Sequence, residues 1–136
     1  MRGRGGFGMS SDRNILIVDD EDDSLEMLGR VIRSTGCSVL TAKSGAEALR
    51  MLERHRVDLI VADMVMAGIN GIELLREIRK RGVAAKFIMV TAYGEMESYI
   101  EVMNLGAVEY LSKPINQEHL VQIVTRTIGA AAVARA

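Results

Sequence analysis

A single cysteine, Cys37, rules out an internal disulfide framework and fits a reducing compartment, expected to be the cytoplasm. Its small apolar side chain is expected to pack in a strand rather than react. No apolar run approaches the ~20 residues that cross a bilayer, so no membrane segment is expected. The formal net charge is only −1, which supplies no global field to recruit nucleic acid or an anionic membrane. The N-terminal stretch from Met1 to Gly8 is basic and glycine-rich but lacks the apolar core of a secretory signal. Met9-Ser10-Ser11-Asp12 reads as a second possible start. An RNA-binding arginine–glycine arm is the alternative for this stretch, weakly supported by two arginines and one phenylalanine. No internal sequence repeat and no linker interrupts the chain that follows.

What is present is ordinary for one globular domain with a proper core: 49% hydrophobic and 26% charged residues over 136 positions. The domain is expected over 14–128, with a flexible leader over 1–13. An alanine-rich tail over 129–136 would be a frayed helix end or the start of a linker.

Apolar runs alternate with helical patterns. Ile15 to Val18, Leu59 to Ala62 and Phe87 to Val90 are unbroken, as strands covered on both faces should be. Cys37 to Ala42 and Ala107 to Leu111 are more mixed and fit edge positions. Between the runs, residues recur at helical spacing: Leu25, Leu28 and Ile32; Ala48, Leu49 and Leu52; Ile72, Leu75 and Ile78; Met96, Ile100 and Met103; Leu120, Ile123, Val124 and Thr127. Gly36, Gly82 and Gly106 each follow a helical pattern, where a left-handed residue ends a helix. Asp22 or Asp23 is expected to cap the first helix.

The pattern is five strand–helix units, (βα)₅. Right-handed crossovers then make an α/β, doubly wound, five-stranded parallel sheet with helices on both faces. Periodicity leaves the strand order open. Order 2-1-3-4-5, the flavodoxin-like arrangement, places the most apolar strands in the centre.

Chemistry-bearing residues sit just past those runs. Asp19 and Asp20 follow the first, Asp63 the third, Thr91 closes the fourth and Lys113 follows the fifth. In a parallel sheet all of them emerge at one edge. Clustered carboxylates need a cation, and Mg²⁺ suits oxygen ligands shared with waters and phosphate oxygens. Asp19, Asp20 and Asp63 carry −3, which Mg²⁺ and Lys113 would balance. Asp63 as nucleophile towards a phosphoryl group is sound chemistry. The plainer reading makes Asp19 and Asp20 turn or capping residues, Lys113 a solvated lysine and Thr91 a strand-end hydroxyl.

Together the segments Ile17-Val18-Asp19-Asp20-Glu21, Asp63-Met64-Val65-Met66-Ala67-Gly68-Ile69-Asn70-Gly71, Thr91-Ala92 and Ser112-Lys113-Pro114 resemble the response-regulator receiver domain of two-component signalling. The resemblance runs from about Asn14 to Ile128. It implies the 2-1-3-4-5 order and a residue-by-residue assignment. Asp63 matches the phosphoacceptor. Asp20 matches a direct Mg²⁺ ligand, Asp19 a ligand acting through water, and Val65 the residue whose backbone carbonyl completes the protein ligands. Lys113 matches the lysine that pairs with the phosphoryl group, ahead of a proline joined by a cis peptide. Thr91 and Tyr110 match the switch pair, with packing on an edge strand the plainer alternative for Tyr110. The surface from about Met96 to Ile128 would report the state.

The resemblance further implies a sensor histidine kinase or phosphotransfer protein as partner, and as output a separate partner or an effector domain of the same protein. A phosphorylation-linked dimer would also fit. Direct contact with nucleic acid or membrane is not expected. The chain would promote only its own phosphorylation and dephosphorylation, rather than act as an enzyme on an outside substrate. Three positions depart from the family pattern. Ala67 stands where proline is usual, which softens the loop. Val65, apolar, does not orient a hydrolytic water, and Tyr93 is bulky enough to shield a phosphoryl group. The last two together suggest slow hydrolysis.

His55 and His119 lie on helical segments without partner spacing and are expected to be solvated. The nine methionines, Met64 and Met66 among them, are expected to pack. Two rival classes are a metal-dependent phosphatase and a phosphorylation-independent interaction module with the same fold. The first would want an acid where Val65 stands, and a cap domain. A flavin-binding relative is disfavoured, because no phosphate-cradling loop follows the first strand.

Overall fold

A computed structural model of the chain describes residues 13–92 and 96–129. Tyr93, most of the leader and nearly all of the tail fall outside the described residues. Arg13 is described: its carbonyl accepts from Ser38 N–H at 3.0 Å, beside the start of the sheet.

Five parallel strands form the sheet: β1 (Asn14–Val18), β2 (Ser38–Ala42), β3 (Leu59–Asp63), β4 (Lys86–Thr91) and β5 (Glu109–Ser112). Their spatial order is β2-β1-β3-β4-β5, as expected. The helices are α1 (Asp22–Arg33), α2 (Gly45–Arg54), α3 (Gly71–Lys80), α4 (Met96–Asn104) and α5 (Gln117–Val124). A π-helical turn, Thr125–Gly129, continues α5.

Alternation along the strands divides the core into two layers. Leu16, Val18, Ile60, Ala62, Phe87 and Met89 pack with Ala48 of α2, Leu74 and Ile78 of α3 and Val102 of α4. Ile15, Ile17, Leu59, Val61, Ile88 and Val90 pack with Leu28 and Ile32 of α1 and Leu120 and Ile123 of α5. Strands β1, β3 and β4 are buried on both faces, whereas β2 and β5 carry half-buried side chains. The two mixed runs therefore take the edges. No helix among the described residues is long and apolar enough to cross a membrane.

Local signals explain most boundaries. Ser44 caps α2 by accepting from Glu47 N–H, and Asn70 and Glu73 form a reciprocal capping box at the start of α3. Gly36, Gly82 and Gly106 adopt φ of 91°, 74° and 92°, the left-handed conformation expected of them. Met64 and Met66 are buried in the core, and His55 and His119 are exposed.

Two expectations need correction. Asp22 and Asp23 do not cap α1: the N-cap is Glu21, without a side-chain capping bond, and both aspartates lie in the first turn. The Asp19 carboxylate takes the Glu21 N–H at 3.0 Å, and Asp22 instead reaches Lys43 Nζ at 2.6 Å. In the first turn the two carboxylates still favour the positive end of the helix dipole. Cys37 immediately precedes β2 rather than lying within it, and packs half-buried against the α1–α5 core layer.

Candidate phosphoryl and metal site

The carboxyl ends of β1, β3, β4 and β5 converge beside the crevice between β1 and β3, where the chain switches direction across the sheet. Asp19 follows the last residue of β1 and is fully buried; Asp63 ends β3 with 7% of its surface exposed. Asp20, one residue further into the loop, is exposed. One oxygen from each of the three carboxylates lies within 4.8 Å of the others. Such a grouping of like charges is unfavourable alone and suits a hard divalent cation.

The nearest cation is Lys113, just past β5. Its Nζ donates to Asp63 Oδ2 at 3.0 Å, stands 3.4 Å from Asp19 Oδ2 and is 4.0 Å from Glu21 Oε1. Its backbone N–H donates to the Thr91 carbonyl at 2.8 Å, which ties the lysine to the end of β4. Burial works to lower the Lys113 pKa. The hydrogen bond to Asp63 and the charges of Asp19 and Asp63 more than offset it, so the net shift is upward from the usual lysine value. The ammonium thus keeps its charge through the neutral range, and the favourable contribution would fade only as pH rises through that raised value. The Lys113–Pro114 peptide bond is cis, as the resemblance implied.

Short loops hold the acids in place. Val65 N–H donates to Asp63 Oδ1 at 3.2 Å, and the Val65 side chain, 52% exposed, lines the opening. Gly71 N–H closes the loop on the Met64 carbonyl at 2.9 Å. The resulting cleft, about 540 Å³, is lined by Asp20, Glu21, Asp63, Val65, Ala92 and Lys113. A slightly larger hollow of about 600 Å³ between α1 and α5 carries no carboxylate cluster, so chemistry rather than size selects the site.

Thr91, at the end of β4, is fully buried and sits opposite Ser112 in the sheet register. Tyr110 lies on β5, half-buried, with its hydroxyl 2.8 Å from Ser98 Oγ of α4. Its ring meets Tyr99 edge-on, with centroids 5.5 Å apart and planes at 78°. Tyr110 therefore faces α4 rather than the acidic cleft. Ser98 and Tyr99 escape a reading of strand ends, because helix periodicity does not say which side chain meets a neighbouring strand. Glu21 also lines the cleft and was legible only as part of the Asp19-Asp20-Glu21 run.

Residues 15–125 match the family model of the response regulator receiver domain. Over 111 residues the chain is 37% identical to the transcriptional regulatory protein GlrR of Escherichia coli K12, an alignment covering 82% of this chain and 25% of GlrR. It is 34% identical over 104 residues to PhoP of Bacillus subtilis, the alkaline phosphatase synthesis transcriptional regulatory protein, covering 76% and 43%. The chain thus spans about a quarter of the first relative and less than half of the second. Among solved structures, the chemotaxis protein CheY4 of Vibrio cholerae superposes with a TM-score of 0.80 at 29% identity, covering 85% of this chain and 98% of CheY4. The response regulator TrrA of Thermotoga maritima, solved with Mg²⁺–BeF, gives 0.77 at 35% identity, covering 85% and 99%. Sequence and fold agree over most of its length: the chain belongs to the response regulator receiver domains.

Proposed function

We propose that the chain is a phosphorylation-operated switch in which Asp63 accepts a phosphoryl group from a histidine kinase or phosphotransfer protein. The observation that carries the reading is the pairing of an almost buried Asp63 with Lys113 at 3.0 Å, inside a set of three carboxylates converging within 4.8 Å.

The donor set fits Mg²⁺: Asp20 as direct ligand, Asp19 through water, with Asp63 and the Val65 carbonyl completing the protein contribution. When bound, the ion disperses the charge of the carboxylates and of the arriving phosphoryl group. A carboxylate oxygen of Asp63 attacks phosphorus as the P–N bond of a phosphohistidine breaks. The electron pair leaves with the imidazole nitrogen, which is protonated in turn. Lys113 moves its ammonium from the Asp63 carboxylate to a phosphoryl oxygen, and Thr91 supplies a hydroxyl donor to another. Tyr110 then changes its contact with α4, so that the α4-β5-α5 surface reports the state. TrrA, solved with Mg²⁺ and a fluoroberyllate, supports the same chemistry here by likeness.

We infer a receiver over 14–128, preceded by a leader over 1–13 and followed by a tail or the start of a linker over 129–136. The matched relatives are transcriptional regulators by name and longer than this chain, which supports an output carried by an effector domain or by a separate partner. Phosphorylation-linked dimerisation and a cytoplasmic setting complete the picture. Val65 and Tyr93 together keep hydrolysis of the acyl phosphate slow. As a receiver the chain is not an enzyme on an outside substrate.

Intact mass after incubation with acetyl phosphate, with and without Mg²⁺, tests the reading beside Asp63→Asn. One Mg²⁺-dependent phosphoryl adduct, absent from the variant, is expected. No adduct from acetyl phosphate or from a panel of histidine kinases would leave the interaction-module reading in its place.

A further inference from the structure

The Asp20 carboxylate is the exposed member of the acidic trio, and it accepts a hydrogen bond from a backbone group distant in sequence: Ala67 N–H donates to Asp20 Oδ2 at 3.2 Å. Ala67 occupies the position where the family pattern has proline, a residue with no N–H to give. The bond is therefore a consequence of this chain's own departure from that pattern.

The loop lacks proline's fixed φ at Ala67 but is tied down on both sides of the donor. Gly71 N–H closes the loop on the Met64 carbonyl at 2.9 Å, Met66 is buried in the core, and Gly68 turns the chain at φ 80°. Ala67 thus presents its N–H from a loop held at both sides. Asp20 has the opposite problem. It sits in a loop beside two buried carboxylates that repel it, and an exposed side chain has solvent to escape into. A hydrogen bond from a fixed donor opposes that escape, and one Asp20 oxygen stays within 4.8 Å of the Asp19 and Asp63 oxygens.

We propose that Ala67 is a positioning residue whose backbone N–H holds the Asp20 carboxylate in the metal-ready arrangement, making Mg²⁺ affinity depend on the loop after Asp63. The inference rests on the reading of Asp20 as a Mg²⁺ ligand. It adds that substituting the proline usual at this position would weaken the site rather than improve it, because the ordering now supplied by the protein would fall on the binding step.

The test is the dissociation constant for Mg²⁺, by calorimetry on the full chain, for the parent, Ala67→Pro and Ala67→Gly. Ala67→Pro is expected to bind roughly three- to tenfold more weakly, the range for losing one hydrogen bond to a partly exposed carboxylate. Ala67→Gly keeps the N–H and should stay within about twofold of the parent. Equal or tighter binding by a folded Ala67→Pro overturns the proposal while leaving the metal site standing. A parent that binds no Mg²⁺ overturns the metal reading and the proposal with it. Should Ala67→Pro fail to fold, amide exchange decides. The Ala67 amide is expected to be protected in the metal-free parent and to exchange several times faster in Asp20→Ala. An amide that exchanges equally fast in both overturns the proposal.

Discussion

Lys113 Nζ stands 3.0 Å from Asp63 Oδ2 and 3.4 Å from Asp19 Oδ2, so one ammonium beyond β5 bridges carboxylates at the ends of β3 and β1. There it offsets the repulsion between two nearly buried acids. Replacing it leaves those charges facing each other and removes a group aimed where phosphoryl charge would arrive. Lys113→Met is expected to slow adduct formation at Asp63 by on the order of a hundredfold. Timed intact-mass spectra with acetyl phosphate would measure this, and an unchanged rate would remove Lys113 from the chemistry.

Cation binding to the folded state alone should raise the unfolding temperature. With free Mg²⁺ at a hundred times its dissociation constant the gain is about 2.7 kcal/mol. Asp20→Asn should abolish most of that increment while raising the metal-free unfolding temperature, since it removes one of three clustered negative charges. Thermal unfolding with Mg²⁺ and with a chelator would show both effects.

Gly71 is the point where α3 meets the end of β3. A Cβ there would lie 2.7 Å from the Asp63 carbonyl oxygen, 2.7 Å from Met89 Sδ and 2.8 Å from Met64 Cα. Two of those neighbours are backbone, so the helix must move. Gly71→Ala is expected to cost about 1–3 kcal/mol of stability in urea unfolding. It should also weaken Mg²⁺ binding, because the displaced segment carries Asp63.

Far from the cleft, Arg79 of α3 ties together the opposite edge of the sheet. Its guanidinium donates to the carbonyls of Leu105 at 3.0 Å, Ala85 at 2.9 Å, Gly106 at 3.3 Å and Val83 at 3.4 Å. Lysine keeps the charge and loses the fork. Arg79→Lys should destabilise the fold by about 1–3 kcal/mol, with phosphoryl acceptance at saturating Mg²⁺ little changed. Chemical denaturation and the mass assay would separate the two effects.

The Tyr110 hydroxyl and Ser98 Oγ, 2.8 Å apart, join β5 to α4. Tyr110→Phe and Ser98→Ala should each cost about 0.5–1.5 kcal/mol. The double variant should cost less than the sum, since both remove the same bond. Additive costs would mean that the two side chains contribute independently.

By itself the sequence determined the elements and the edge at which chemistry appears. Burial leaves a periodic mark on each segment, so unbroken runs such as Leu59 to Ala62 read as central strands, with Asp63 at the carboxyl end of one. Turn glycines and the aspartates beyond β1 are equally local signals. Tertiary structure decided what no local pattern encodes: that Lys113 reaches Asp63 and Asp19 across 50 and 94 positions of chain, that Ala67 N–H finds Asp20 across 47, and that Tyr110 meets Ser98. It also decided the start of α1, where Asp19 takes the Glu21 N–H and Asp22 pairs with Lys43 instead of capping the helix. Periodicity records which face of a segment is buried. Partner choice depends on distances between segments, and those exist only once the helices have packed on the twisted sheet.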